Sequence, residues 1–199
     1  MWEWSLHNPK TSKPSTSLLT AYDDLIHTHI LSAAIPPEAS ASPIKPLPPL
    51  DDLEEMRIAV QNEIVRLGLK HVRIELRDYE PQTWQEMNKS FEEYQHMRRA
   101  FLRLLGYNHL RDCRAAGLND DDILLLRNRL VPENYNTHLK IPFDFGGNIE
   151  FANFALIPTH PFHNNLHRIM DMQIENTFLL KHRRIFIPLF EGKIYHDRI

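Results

Sequence analysis

The sequence has very little cysteine: Cys113 stands alone among 199 residues. No disulfide can form within such a chain, and a zinc site built from several cysteines is excluded. Long apolar runs are also missing, since no stretch approaches the roughly 18 residues that a membrane-spanning helix requires. The first segment, MWEWSLHNPK, lacks the apolar core of a secretory signal. We therefore expect no membrane partner and a protein that is cytoplasmic or is secreted by a signal-independent system into a target cell.

An excess of basic charge is absent as well, because the formal net charge is −3. A nucleic-acid partner would have to be met by a local basic face and not by the charge of the whole chain. Histidine is abundant instead, with 12 residues. Any metal site must therefore draw its ligands from His, Asp, Glu or Asn, and the histidines are the first place to look.

Residues 1–50 differ from the rest because they hold eight of the 14 prolines. Proline fixes φ and lacks an N–H donor, so the segment is predicted to be an extended arm or linker. One short amphipathic helix is predicted within it, over 17–34. The arm either packs loosely on the domain surface or docks onto a partner such as a delivery machine.

The remainder is predicted to be α+β, with a helical region over 51–130 followed by a distinct unit over 131–199. The helical region is predicted from apolar side chains at helical spacing and from acidic residues at the starts of the helices. A short strand is expected over 69–81, where β-branched residues alternate. The predicted helices cover residues 50–68, 82–106, 108–117 and 118–130, the last with Asn119 or Asp120 as its N-cap.

The segment 131–199 is predicted to run strand, turn, strand, helix, strand. The first strand is YNTHLKIPF (135–143), and a DFGGN turn with two glycines leads to the second, EFANFALIP (150–158). The helix is expected to start near Pro161, a favourable N1 residue, and to run to Arg184. The tail that follows is predicted to hold a strand, a glycine turn and another short strand.

Three histidines of this unit form a candidate metal site. His163 and His167 are four residues apart, which places both imidazoles on one helix face. His138 lies on the hairpin that would pack against this helix. Imidazole suits zinc, nickel, copper and similar divalent ions.

The combined pattern resembles the HNH (ββα-metal) endonuclease superfamily. The residues that carry the resemblance are HLKIPFDFGGN (138–148), NFALIP (153–158) and HPFHNNLH (160–167). The stretch from Gly117 looks most like the HNH domains of bacterial polymorphic toxins, including effectors delivered by secretion systems, and nuclease colicins share the same core motif. The resemblance covers about residues 117–196.

The resemblance implies one divalent ion, Mg²⁺, Mn²⁺, Ni²⁺ or Zn²⁺, held by His138, His163 and His167. It implies that Asn153 ties the loop to the second strand. The implied substrate is DNA, with RNA as an alternative, and the implied chemistry is phosphodiester hydrolysis assisted by the ion. An antibacterial toxin of this type would also have an immunity protein, expected to be acidic because a phosphate-binding cleft is electropositive.

The sequence departs from the family pattern at one position. The family places a histidine that accepts a proton from water directly after the first metal ligand, and here that residue is Leu139. His160, Lys140 and Asp144 are alternative proton acceptors. Coordination to the ion could instead lower the pKa of the attacking water.

Basic residues near the unit are candidate phosphate contacts, namely Lys140, Arg168, Lys181, Arg183 and Arg184. A solvated, charged helix end is the alternative for the cluster at 181–184. A second basic set, Arg98, Arg99, Arg103, Arg111 and Arg114, is expected to be a solvated helix face.

Three functional hypotheses follow, of which the third is a helical interaction protein whose histidines bind no metal. In the first, the chain is a metal-dependent HNH-type endonuclease of the toxin-effector type, with His138, Asn153 and His160 as its candidate catalytic residues. In the second, Leu139 marks a catalytically degenerate scaffold that binds protein or nucleic acid.

Overall fold

The fold is α+β, and the computed structural model describes residues 52–174 and 183–196. The predicted arm over 1–50, with its helix, lies outside the described residues, as does Lys181. Five helices and four strands follow in chain order: α1 (Leu53–Arg66), β1 (Val72–Asp78), α2 (Trp84–Asn108), α3 (Leu110–Ala115), α4 (Asp120–Arg127), β2 (Tyr135–Leu139), β3 (Phe154–Pro158), α5 (Asn164–Ile174) and β4 (Arg184–Phe190).

Side-chain caps fix where the helices begin. The Asp52 carboxylate accepts from the Glu54 N–H at 2.9 Å at the start of α1. Thr83 and Asn119 each form a reciprocal capping box with the residue three positions later, ahead of α2 and α4. Such caps satisfy N–H groups that have no partner within the helix. The predicted helices over 50–68, 82–106, 108–117 and 118–130 are confirmed, and Asn119 is the N-cap of the last.

The strands form two separate antiparallel pairs. The β2–β3 hairpin sets His138 opposite Ala155 and Leu139 opposite Phe154. The other pair joins β1 to β4, from Val72 opposite Phe190 to Asp78 opposite Arg184. The strand predicted over 69–81 is therefore confirmed, but its partner comes from more than 100 residues further along the chain.

The predicted boundaries need correction in the C-terminal part. Strand β2 ends at Leu139 and not at residue 143, because Pro142 lacks an N–H and begins a short 3-10 turn over Phe143–Phe145. Strand β3 begins at Phe154 and not at residue 150.

The last predicted helix was also too long. A π-helical turn over Thr159–His163 precedes α5. The helix cannot reach Arg184, since Arg183 has φ 50° and Arg184 is the first residue of β4. The final short strand is reduced to a single bridge between Ile194 and Leu156.

Three buried apolar clusters hold these elements together. One combines α2 and α4 with Leu139 and Phe154 of the hairpin. A second combines α1 with Ile157 of β3, with α5 and with β4. Residues from both predicted units, 51–130 and 131–199, therefore pack into the same clusters. The boundary at residue 130 stays a prediction. Within 52–174 and 183–196, none of the helices is both long and apolar enough to cross a membrane.

Candidate metal centre

Three buried histidines converge at the junction between the hairpin and α5. His138, His163 and His167 each offer a ring nitrogen, and these atoms all lie within 4.8 Å of one another. The side chains are 3%, 3% and 7% exposed. The predicted ligand set is therefore brought together by the fold and is largely shielded from bulk water.

The local chain path explains the convergence. Strand β3 runs from Pro158 directly into the turn that contains His163, and α5 then places His167 one turn later. The Thr159 N–H donates to the Asn134 carbonyl at 2.8 Å, which ties the start of this turn to the beginning of β2. The hairpin and helix are thereby held side by side with His138 facing the helix.

The spacing of the imidazoles suits a shared ion. The Nε2 atoms of His163 and His167 are 3.1 Å apart. Two ligands at about 2.0–2.1 Å from one ion would lie about 2.9 Å apart at a right angle and about 3.3 Å apart in a tetrahedron. The observed separation falls between these values, and the His138 ring stands nearly perpendicular to both others, at 89° and 86°.

The donor set discriminates among the predicted ions. Three imidazole nitrogens favour Zn²⁺ or Ni²⁺, whereas Mg²⁺ and Mn²⁺ prefer carboxylate, carbonyl and water oxygen. Three protein ligands also leave a coordination position open, as in catalytic zinc sites and unlike closed structural ones.

Asn136 is a residue of this site that sequence reasoning missed. It is buried on β2, two residues before His138 and hence on the same face, and its amide lies 3.4 Å from Nδ1 of His163. In this geometry the Asn136 Nδ2–H donates to Nδ1 of His163. If His163 held an ion through Nε2, Nδ1 would carry the hydrogen, and the Asn136 amide would have to turn over to accept it through Oδ1. The period-two spacing from His138 was the available signal.

Asn153 braces the loop between the two strands. Its Oδ1 accepts from the Ile141 N–H at 2.8 Å, and its Nδ2 donates to the carbonyls of Ile141 and Asn148 at 2.8 and 2.9 Å. The predicted tie between loop and second strand is thus present in the geometry. Asn153 immediately precedes β3 and fixes the loop by these hydrogen bonds.

Gly147 completes the same loop. A Cβ at this position would lie 1.8 Å from the Ile141 carbonyl oxygen, so no other residue fits without moving the backbone. Gly146 has φ 77°, a conformation that favours glycine. The adjacent glycines of the sequence therefore serve two different needs, close approach and a left-handed turn.

Leu139 faces away from the histidines. It is 3% exposed and belongs to the cluster that includes Phe101 and Phe154. Successive strand residues point to opposite faces, so Leu139 occupies the core while His138 faces the metal centre. The Leu139 side chain therefore contributes to the apolar core and not to the histidine cluster.

The alternative proton acceptors lie in three different environments. Asp144 is buried, and its carboxylate accepts from the Gln82 N–H at 2.8 Å, a bond that fastens the segment before α2. His160 is exposed, with Nδ1 3.0 Å from the Asn164 amide. Lys140 is half-buried, and its ammonium lies 5.8 Å from the centre of the Phe190 ring.

Lys140 shares the neighbourhood of His138, since the His138 ring also lies 6.5 Å from that of Phe190. Burial lowers the pKa of Lys140, and the positive charge of Lys193 lowers it further, while Glu191 opposes the shift. This side of the hairpin therefore carries the two positive charges of Lys140 and Lys193 and the negative charge of Glu191.

The other predicted phosphate contacts are already engaged or lie on other elements. Arg168 is mostly buried and lies 3.4 Å from Glu63 of α1. Arg184 lies on β4 and forms an ion pair with Asp78 at 2.9 Å. Arg183 is exposed in the preceding turn. Arg168 lies on α5, whereas Arg183 and Arg184 lie just before and at the start of β4, so these three residues do not form one basic surface on a single element.

Comparison with known proteins gives one short match. A 45-residue stretch is 44% identical to the uncharacterized protein YhhZ of Escherichia coli (strain K12). The match covers 23% of this chain and 12% of that protein, so the chain spans only a small part of this relative. No family model and no solved structure matches the chain.

Proposed function

We propose that this protein is a metal-dependent HNH-type nuclease that hydrolyses DNA phosphodiester bonds. The carrying observation is the convergence of buried His138, His163 and His167 from a hairpin and the helix that follows it. The order of these ligands along the chain and the Asn153 brace are the features that the sequence shares with the HNH superfamily. Under this proposal β2, β3 and α5 form the ββα-metal unit.

The residues of the site divide the work. A divalent ion held there would polarise a phosphoryl oxygen and stabilise charge on the leaving oxygen. The three histidines hold and orient that ion, and Asn136 holds the His163 ring. Lys140 places a positive charge beside His138 for the scissile phosphate, while Asn153 and Gly147 keep the intervening loop in register.

The proton acceptor is the open chemical point of the proposal. Leu139 cannot serve, and the Asp144 carboxylate is committed to the Gln82 N–H. His160 remains as an acceptor contributed by the chain. Lys140 accepts a proton only in its neutral form, as an alternative to contacting the phosphate as a cation. His160 is exposed one turn ahead of His163, so it can reach solvent water beside a bound strand.

A second function is favoured by one specific observation. Leu139 packs in the core where the family carries its proton acceptor. A scaffold of this kind that had lost catalysis would keep the metal and bind nucleic acid or protein without cutting it.

Plasmid cleavage with Mg²⁺, Mn²⁺, Ni²⁺ or Zn²⁺ discriminates the two functions. We expect the native protein to nick plasmid DNA, His163→Ala and His167→Ala to lose the activity, and His109→Ala, a control outside the cluster, to retain it. A folded sample that binds Zn²⁺ or Ni²⁺ but cuts neither DNA nor RNA with any ion would contradict the nuclease function and favour the binding scaffold.

Cleavage by the native protein also permits a test of the proton acceptor. His160→Ala should lower turnover while metal affinity stays unchanged, because the side chain is exposed and contacts Asn164 and not the cluster. Lys140→Gln tests the other candidate in the same assay. Unchanged turnover in both variants would exclude them as acceptors.

The biological role that we propose is that of an antibacterial toxin effector, with a cognate acidic immunity protein. In this role the segment 1–50 engages the delivery machine. Expression of the native protein in bacteria should arrest growth, and expression of His163→Ala should not. Equal toxicity of the two proteins would contradict a role that depends on the metal centre.

A further inference from the structure

A second concave site lies on the outer face of α2, apart from the histidine cluster. Its cavity has a volume of about 490 Å³ and is bounded by α2, by Arg129 and by Phe151 of the hairpin loop. This volume is within the range of about 300–1,000 Å³ that is typical of ligand sites. The proposed nuclease mechanism uses none of its residues.

The lining combines positive charge with aromatic rings. Arg99, Arg103 and Arg129 supply guanidinium groups and His96 an imidazole, and none of the described residues that line the cavity carries a carboxylate. Tyr107 and Phe151 supply rings and are 54% and 37% exposed. The guanidinium groups of Arg103 and Arg127 lie 5.7 and 5.2 Å from the centre of the Tyr107 ring, so a base that stacks on this ring displaces one of them.

This chemistry is suited to a nucleotide unit of a flexible strand. Guanidinium groups bind phosphate oxygens, and exposed aromatic rings stack on unpaired bases of any sequence. In a duplex the base faces are stacked on one another and cannot be offered to Tyr107. An acidic protein surface would be matched by the charges, but it would cover a broad area and would not need a concave site with exposed aromatic rings.

A basic path connects the cavity to the metal centre. The Lys193 ammonium lies 3.5 Å from the Phe151 carbonyl at the rim of the cavity. Lys140 and Lys193 both border β3, since the Lys140 N–H donates to the Asn153 carbonyl at 2.8 Å and the Lys193 carbonyl accepts from the Leu156 N–H at 2.9 Å. Lys140 lies beside His138 against the same Phe190 ring, and the Glu191 carboxylate is the acidic group in this neighbourhood. Phe151 is four residues from Ala155, the partner of His138, so the two sites are at most about 20 Å apart.

We propose that this cavity binds one nucleotide of a single-stranded nucleic acid whose backbone continues past Lys193 and Lys140 to the histidine cluster. Only the destination of the strand rests on the proposed nuclease function. Binding in the cavity does not require the metal or any chemistry. The sequence-based expectation of a solvated helix face is wrong for Arg98, which is buried and donates to the Thr137 hydroxyl at 2.7 Å. For Arg99 and Arg103 the cavity assignment is the alternative to that expectation.

Fluorescence anisotropy of the full chain tests the proposal in EDTA, where no cleavage occurs. The probe is a labelled oligothymidylate of about a dozen nucleotides. Tyr107→Ala should weaken binding about tenfold, and Tyr107→Phe should restore it because the ring is kept. Arg99→Glu should also weaken binding and reduce the salt slope by about 0.7 for each lost phosphate contact. Arg111→Glu, an equal change of charge outside the cavity, is the matched control.

The outcomes separate this proposal from the nuclease proposal. His163→Ala should bind the oligothymidylate like the native protein, so a failure of catalysis leaves the cavity test intact. Equal effects of Arg99→Glu and Arg111→Glu, or no effect of Tyr107→Ala, would overturn the cavity assignment and leave an acidic protein as the occupant to test. A further possible outcome is that free thymidine monophosphate competes as effectively as the unlabelled oligonucleotide. That result would contradict the proposal that the cavity binds part of a strand and would indicate a site for single nucleotides.

Discussion

At the scale of single residues, Leu139 has the clearest structural meaning. Placing a histidine at this position, as the family pattern suggests, would not supply a proton acceptor. The new imidazole would enter the cluster of Phe101 and Phe154 and not the metal centre. The sequence pattern identified the departure, but only the alternation of side chains across β2 tells which way position 139 faces.

We therefore expect Leu139→His to lower the free energy of unfolding by about 3 kcal/mol, because a polar ring replaces an aliphatic side chain in a dry core. Leu139→Met, which conserves volume, should cost less than about 1.5 kcal/mol. Urea denaturation measures both changes. A folded Leu139→His protein of native stability with strongly raised cleavage would contradict the placement of this side chain.

The spacing of His163 and His167 and the resemblance to the HNH pattern predicted that His138, His163 and His167 would lie together, and the fold brings their ring nitrogens within 4.8 Å of one another. Asn136 was missed because a single asparagine on a strand carries no motif, and its role depends on a contact with a helix 27 residues later. The fate of Arg168 was equally hidden, since its neighbour Glu63 comes from a distant helix.

At the scale of elements, the loop between β2 and β3 is held by one amide. We expect Asn153→Ala to lower the free energy of unfolding by about 2 kcal/mol, because two carbonyls and one N–H lose their partner. Asn153→Asp should be at least as harmful, since a carboxylate cannot donate to the two carbonyls. Thermal unfolding and Zn²⁺ titration of each variant measure stability and the integrity of the site.

The matched control for this pair is Asn128→Ala, an exposed asparagine at the end of α4. Its loss should leave Zn²⁺ affinity unchanged. Equal Zn²⁺ affinity in the Asn153 variants and the control would show that the brace does not position the ligands.

Helices α1 and α5 are joined by a second small network. The Glu63 carboxylate accepts from Arg66 at 2.6 Å and also lies against Arg168 of α5. The hydrogen bond from Arg66 lowers the pKa of Glu63, and the charges of Arg66 and Arg168 lower it further against the effect of burial.

A lowered folded-state pKa stabilises the protein above the ordinary value of 4.5. This contribution is lost as the pH falls through the lower folded value. Glu63→Gln should therefore cost about 1 kcal/mol at pH 7 and almost nothing near pH 3. Urea denaturation at both pH values, with the exposed Glu92→Gln as control, checks it. A cost that is independent of pH would assign the effect to packing.

Local signals carried most of the element prediction. Capping residues and apolar spacing located the helices α1 to α4 because helix formation depends on neighbours within a few residues. The helix predicted to Arg184 was too long because charge and composition do not mark the left-handed turn at Arg183. The antiparallel partner of β1 had no local signal at all.

At the scale of the whole molecule, a metal ion would add a direct link between a hairpin and a helix that already share one apolar cluster through Ile157 and Leu166. A ligand that binds only the folded state stabilises that state by about 2.7 kcal/mol when the free ligand concentration is about one hundred times the dissociation constant. For a chain of this size we expect a rise in melting temperature of about 5–10 °C with Zn²⁺ or Ni²⁺.

Differential scanning fluorimetry after chelation and metal addition measures this rise. Mg²⁺ should give a much smaller rise, because three imidazoles are poor ligands for it. His167→Ala should remove the response to Zn²⁺ and Ni²⁺, and acidic buffer should weaken it since protons compete for the imidazoles. An equal rise in the His167→Ala protein would show that the ion binds elsewhere.

The pairing of β1 with β4 governs the order in which the chain can fold. The hairpin and α5 lie within 40 consecutive residues, from Tyr135 to Ile174, so their contacts close short loops quickly. The strand over Val72–Asp78 must wait for its partner at Arg184–Phe190, and such distant closure is slow. During synthesis, β1 remains an open edge until residue 190 has emerged. The three histidines can therefore come together on a nascent chain whose β1–β4 sheet does not yet exist.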